Sequence, residues 1–254
     1  MIIAILGIGE AGSTLARDLI AKGVQVRGWD PEPRNLPDGL DFASSNPAAV
    51  SGADIVLSVN WASVAIEVAT EVAPVLQLYQ LYADLNTAAP QLKRDLAPII
   101  ERTGASFVDA ALMDPVPPKG LGTQVYASGS GAEKFTEKMT ALGMPVTYLD
   151  GEAGNAATHK LVRSIMYKGV AAVILECLEA AKALNMTEYA RAQMLKIIYD
   201  EPMIDRFVNG SIKHARRRVD EMEAVVEMLN SIGVSPFTSQ AAVQRLKEIL
   251  EKKG

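Results

Sequence analysis

The chain is short of the residues that build metal centres and disulfide frameworks. It holds one cysteine, Cys177, and two histidines, His159 and His214, among 254 residues. A single cysteine excludes an intrachain disulfide and fits a reducing, cytoplasmic compartment. Three scattered side chains offer no nitrogen and sulfur ligand set with recognisable spacing, so no metal site is expected. Cys177 lies in an apolar helical run and reads as a small buried hydrophobe. Excess positive charge is also lacking: the formal net charge is -5, which excludes global attraction to nucleic acid or anionic lipid. A small anionic substrate therefore needs a local basic pocket. No stretch supplies the roughly twenty uninterrupted apolar residues of a membrane span, and the apolar run at 1–6 has no basic leader and is too short for a signal core. P-loop and Gly-x-Ser-x-Gly motifs are absent.

What is present is alternation. Hydrophobic residues make up 49% and charged residues 22%, the balance of a globular chain without long disordered tails. Short apolar runs predict strands at 2–6, 24–29, 54–59, 81–85, 106–110, 124–128 and 146–149. Amphipathic stretches predict helices at 10–22, 63–75, 91–103 and 132–142. Strands alternating with helices imply a parallel, doubly wound α/β sheet. The pattern then changes. Residues 155–184 are helix-forming throughout, and shorter helices are predicted at 187–199, 202–209, 212–232 and 239–252. The expected organisation is a Rossmann-type domain at 1–152 followed by an all-α domain at 153–254. A helix of such length is hard to cover within one short chain, which points to a homodimer.

The strongest local signal is Gly7-Ile8-Gly9-Glu10-Ala11-Gly12, directly after a predicted strand and opening a predicted helix. In that context the first glycine permits a tight turn, the second lets the backbone approach a pyrophosphate, and the third lets helix and strand pack closely. The helix N-terminus adds free N–H groups and a partial positive charge. The second strand ends in Asp30, near the spacing expected of an acid that hydrogen-bonds the adenosine ribose. These residues point to a dinucleotide. Asp30 favours NAD over NADP because a carboxylate repels a 2′-phosphate; Arg34 nearby leaves NADP open.

Gly7-x-Gly9-x-x-Gly12-x-x-x-Ala16 resembles the opening of the β-hydroxyacid dehydrogenases, the family of 3-hydroxyisobutyrate and 6-phosphogluconate dehydrogenases. The resemblance continues along nearly the whole chain. Asp84-Leu85-Asn86-Thr87-Ala88-Ala89-Pro90 is similar to the family segment beside the nicotinamide ribose, which adds Thr87, with Asn60, to the cofactor set. Asp109-Ala110 and Gly122-Thr123 are similar to the two ends of the substrate-binding motif. In its middle this chain has Met113-Asp114-Pro115 where the family has Ser-Gly-Gly. Gly151-x-x-Gly154 leads to Lys160 as the family's glycines lead to its catalytic lysine. The family places Asn four residues later, where this chain has Ser164. Lys168-Gly169 and His214-x-x-Arg217-Arg218-x-x-Glu221 fit a branch with a phosphogluconate-dehydrogenase-like second half. The resemblance implies a helical dimerisation domain and an active site between the domains.

Hydride transfer to or from a carbonyl carbon leaves the redox chemistry to the cofactor and asks the protein to orient substrate and move one proton. Lys160 is the candidate general acid/base. Arg163 and Ser164 follow at i+3 and i+4 on the same helix face. Ser164 is the candidate for the substrate hydroxyl, and Arg163, His214 and Arg217 for an anionic group. Asp109, Asp114 and Lys119 complete the expected substrate contacts by analogy. His159, beside Lys160, points away around the helix and reads as packing. The departures at 113–115 and 164 keep two alternatives open. One is a reductase of imines or neutral carbonyls; the other is a dinucleotide-binding sensor without catalysis.

Overall fold

Alternate residues of the predicted strands bury on opposite faces, as a sheet covered on both sides requires. A computed structural model of the chain describes residues 1–252. Its first part contains β1 (Ile2–Leu6), α1 (Glu10–Ala21), β2 (Gln25–Trp29), β3 (Asp41–Phe42), α2 (Asn46–Val50), β4 (Ile55–Ser58), α3 (Ala65–Val72), β5 (Leu81–Asp84), α4 (Pro90–Glu101), β6 (Ser106–Leu112), α5 (Val116–Lys119), β7 (Val125–Ser128), α6 (Ala132–Ala141) and β8 (Val146–Tyr148). The strands form one sheet in the order β3-β2-β1-β4-β5-β6-β7-β8. Ile3, Ile5, Ile55, Leu57 and Val108 face one core with Leu15 and Leu19 of α1 and Phe135 of α6. Ala4, Leu6, Val56, Tyr82 and Phe107 face the other with Ala69 of α3 and Leu96 and Ile100 of α4.

The expected all-parallel sheet needs one correction: β7 runs antiparallel to β6, with Asp109 opposite Ser128 and Leu112 opposite Val125. The connection between them, residues 113–124, holds the four-residue α5 and a 3-10 turn at Gly120–Gly122. A parallel return usually runs through a full crossover helix packed on the sheet, and this connection has none; the segment folds back beside its own strand. The elements β3 and α2 lie outside the predicted set. Both are too short to show a period; α2 is started by Ser45, whose side chain accepts from the Ala48 N–H.

The helical half comprises α7 (Asn155–Ala183), α8 (Thr187–Ile198), α9 (Glu201–Lys213), α10 (Ala215–Ser231) and α11 (Phe237–Glu251). Backbone proximity divides the chain into two units, Met1–Lys160 and Leu161 onward, so the division falls inside α7. The second unit has its own core of Ala171, Ile174, Met194, Ile204 and Phe207. Cys177 is exposed rather than buried. The buried stripe of α7 runs through Ala171, Ile174 and the partly buried Leu178, and Cys177 falls beside it. Among the described residues no helix is long and apolar enough to cross a membrane.

Candidate active site

Within the first unit, β2, β1, β4 and β5 are neighbours, and the chain changes direction across the sheet between β1 and β4. In open parallel sheets ligands bind at the carboxyl ends of the strands at such a switch. The glycine turn stands there. Gly7 adopts φ +103°, and a Cβ on it would lie 2.4 Å from the Val59 carbonyl oxygen. A Cβ on Gly12 would lie 1.9 Å from the Gly7 carbonyl oxygen, so α1 backs directly onto the turn. Gly9 is different: a Cβ there would meet nothing within 4 Å. The chain's own packing does not demand glycine at this position, whereas a close-approaching pyrophosphate does. No side chain caps the N-terminus of α1, and the N–H groups of a first helical turn lack partners within the helix. Ile8, Glu10 and Ala11 occupy this same turn. The arrangement fits a dinucleotide phosphate.

Asp30 follows β2. Its Oδ2 accepts the Ile8 N–H at 2.7 Å and its Oδ1 accepts the Glu32 N–H at 2.8 Å. The acid therefore braces the glycine turn, and each carboxylate oxygen retains a lone pair for a ribose hydroxyl. Asn60, after β4, accepts from Asn86 Nδ2 at 2.9 Å. Thr87, after β5, accepts from Lys160 Nζ at 2.6 Å. The structure thus brings the expected proton-transfer lysine to the expected nicotinamide-ribose segment.

What holds Lys160 there was only partly anticipated. Asp109, expected at the substrate, is instead fully buried. Its Oδ2 accepts the Gly154 and Ala157 N–H groups at 3.0 and 2.9 Å. Ser128 Oγ accepts the Ala156 N–H at 3.0 Å. These acceptors cap the start of α7, the helix that carries Lys160, because Gly154 enters it at φ +99° with no side chain of its own. Behind Asp109 lies Lys93, 1% exposed. Its Nζ is 2.5 Å from Asp84 Oδ2, 2.9 Å from the Asp84 carbonyl oxygen and 3.5 Å from Asp109 Oδ1. Burial pushes the Asp84 carboxyl above its ordinary value, and Lys93 offsets part of that rise. Asn86 Nδ2 donates to Asp84 Oδ1 at 2.5 Å. Sequence reasoning missed Asp84 and Lys93 as a site. A signal existed: Pro90, Lys93, Leu96 and Ile100 form the buried stripe of α4, so a lysine occupies a core position.

The remaining expected residues fall into two groups. In the β6–β7 connection, Asp114 and Lys119 pair with each other at 2.7 Å. That loop is pinned by Asp18 of α1, whose Oδ2 accepts the Leu121 N–H at 2.7 Å. Arg163, Ser164, His214 and Arg217 belong to the second unit. Arg163 and Arg217 are exposed and His214 is half-buried at the start of α10. Ser164 is 2% exposed and donates to Glu221. Lys168 Nζ joins them, 2.6 Å from Glu221 Oε1 and 3.2 Å from Ser164 Oγ. Burial lowers the Lys168 pKa, and Glu221 opposes that shift. The hydroxyl expected at the reacting oxygen is therefore engaged in a buried network. Arg218 is also buried, donating to Ser211 Oγ at 2.6 Å over the Tyr167 ring. His159 Nδ1 lies 2.9 Å from the Asn155 carbonyl oxygen of its own helix, and the ring meets Tyr126 edge-on.

A Rossmann sheet, a glycine turn open at its second glycine, and a lysine at the carboxyl edge define a dinucleotide-binding protein of the dehydrogenase type. Comparison with known proteins gives the family. Residues 2–149 match the NAD binding domain of 6-phosphogluconate dehydrogenase, and the chain belongs to that family. Residues 199–249 match a domain of unknown function, DUF1932. An uncharacterized 28.5 kDa protein of Methanothermus fervidus is 26% identical over 99% of this chain and 100% of its own length. The mitochondrial 3-hydroxyisobutyrate dehydrogenase of Bos taurus is 25% identical over 72% of this chain, and the match spans only 56% of that enzyme. A solved structure of a conserved protein of unknown function, described as similar to 3-hydroxyacid dehydrogenases, superposes with a TM-score of 0.77 at 27% identity. It covers 100% of this chain and 98% of its own.

Proposed function

We propose that the protein is an NAD(P)-dependent oxidoreductase that moves a hydride between the nicotinamide and a small hydroxy acid or its aldehyde or keto counterpart. Lys160 is the general acid/base of that reaction. The observation that carries this reading is the 2.6 Å contact of Lys160 Nζ with Thr87 Oγ1 at the sheet's carboxyl edge. When bound, the nicotinamide supplies the hydride donor or acceptor. Each residue of the chain then has one task. Gly7, Gly9, Gly12 and the N-terminus of α1 hold the pyrophosphate, and Asp30 holds the ribose and favours NAD. Thr87 fixes the lysine amine. In the oxidative direction the neutral amine accepts the substrate hydroxyl proton as the hydride leaves; in the reductive direction the ammonium returns it. The acid class is supported by the similarity to 3-hydroxyisobutyrate dehydrogenase.

A second reading, reduction of imines or neutral carbonyls, draws support from Asp114. Its carboxylate, paired with Lys119, stands where the resembling family has a small neutral residue. A substrate panel of hydroxy acids and acid aldehydes against cyclic imines and neutral ketones decides between the two. The role of Lys160 is tested by Lys160→Ala. Turnover is expected to fall by about 10² to 10⁴-fold, with NADH affinity unchanged by titration. Near-normal turnover would remove the lysine from the mechanism.

A further inference from the structure

Lys93 is the only cation among a set of fully buried polar groups in the first unit that leads from one side of the candidate site to the other. On one side its ammonium grips Asp84 through both the carboxylate and the main-chain carbonyl, at 2.5 and 2.9 Å. Asp84 ends β5, three residues before Thr87, and its other carboxylate oxygen accepts from Asn86. On the other side the ammonium is 3.5 Å from Asp109 Oδ1. The second oxygen of Asp109 accepts the Gly154 and Ala157 N–H groups at the start of α7. Lys160 lies one turn beyond Ala157. The two segments that hold Thr87 and Lys160 are about seventy residues apart in sequence, and Lys93 is charged toward both.

A stability role alone explains this poorly. Two carboxylates share one ammonium, all at 0–1% exposure, and buried ion pairs of this kind are commonly no better for stability than apolar residues of equal volume. An apolar side chain at 93 would continue the stripe of Pro90, Leu96 and Ile100. What an apolar side chain cannot do is fix two separate acids at a set distance. Removing the ammonium takes away the cation that faces both Asp84 and Asp109, and with it the contact that ties the two acids together.

We infer that Lys93 is a positioning residue: by binding Asp84 and Asp109 together, it holds the Thr87 segment and the first turn of α7 in the register that sets Lys160 against Thr87. The inference deepens the functional reading above and rests on it only for its catalytic consequence.

The test compares Lys93→Met with Leu96→Ala, a core truncation on the same buried stripe of α4. Hydrogen exchange is read by mass spectrometry on the full chain, at temperatures equally far below each variant's midpoint. With Lys93→Met, the amides of Gly154, Ala156 and Ala157 and of residues 85–89 are expected to exchange at least about tenfold faster than in Leu96→Ala. Equal exchange in the two variants would overturn the inference. In the activity arm, kcat of Lys93→Met is expected to fall about tenfold to a hundredfold, as a small misplacement of a reacting group does. NADH affinity should stay within about threefold, and Leu96→Ala should keep its kcat while folded. Unchanged kcat in Lys93→Met would also overturn the inference. If Lys93→Met does not fold, Asp109→Asn, which keeps the shape but drops the charge, must loosen the same two segments. If the wild-type chain turns over no panel substrate, the functional reading fails, while the exchange comparison still decides the role of Lys93.

Discussion

Gly9 offers a clean separation of what the chain needs for itself from what it needs for a ligand. A methyl group at Gly9 would meet nothing within 4 Å, and the backbone there, at φ −76° and ψ −161°, suits any residue. Alanine is a somewhat poorer N-cap than glycine, by up to about 1 kcal/mol. It also restricts the unfolded chain, which returns about 0.4–1 kcal/mol. The net change in stability should stay within about 1 kcal/mol, or about 4 °C in Tm for a protein of this size. Binding should respond differently. The methyl would occupy the space through which a pyrophosphate reaches the N–H groups of α1. Losing one hydrogen bond to a charged group there is worth about 1.5–3 kcal/mol, or roughly a tenfold to hundredfold rise in Kd. Gly12→Ala is the contrasting control. Its methyl would sit 1.9 Å from a backbone oxygen where real contacts stay beyond 3.0 Å. The turn must open by about 1.1 Å, which disturbs the packing of Leu15 and Leu19 and destabilises by about 1–3 kcal/mol or more. Thermal unfolding and calorimetric titration with NADH read both variants. Wild-type NADH affinity in Gly9→Ala would refute the assignment of that turn to phosphate.

Three further expectations follow from the same geometry. The wild-type protein should bind NADH more tightly than NADPH, and Asp30→Ala should erase that preference; tighter NADPH binding by the wild type would reverse the cofactor choice. Burial holds Asp84 above its ordinary value of 3.8, so above that pH the folded state retains a proton the unfolded state has released. This contribution to stability is complete below pH 3.8 and declines as pH rises through the raised value. Asp84→Asn should remove that slope from Tm against pH, and parallel curves for the two proteins would count against it. Finally, Val162, Met166 and Val173 of α7 are exposed within one chain; a dimer is the expected cover, and a monomeric elution volume at micromolar concentration would exclude it.

Part of the candidate site is legible in the sequence. Thr87 and Lys160 were placed by the resemblance to the β-hydroxyacid dehydrogenases; the turn at Gly7–Gly12 and Asp30 could be placed because each sits at a fixed offset from a strand end, and strand ends follow from hydrophobic periodicity. The alternation of strands and helices was legible for the same reason. The β7 reversal was not, since a run of alternating residues carries no direction; it goes with a β6–β7 connection that holds no full crossover helix. Elements as brief as β3 and α2 have no period to read.

Polar and charged residues mark the boundary most clearly. By resemblance, Asp109 and Ser164 were expected as substrate contacts, and Lys93 carried no expectation at all. Their surroundings are assembled by residues far away in sequence: Asp109 by Gly154 and Ala157, Ser164 by Glu221, Lys93 by Asp84. Local order along the chain determines which segments become strands and which glycines can turn. Whether a charge meets water, a helix end or another charge depends on which distant segment packs over it, and only the tertiary fold settles that.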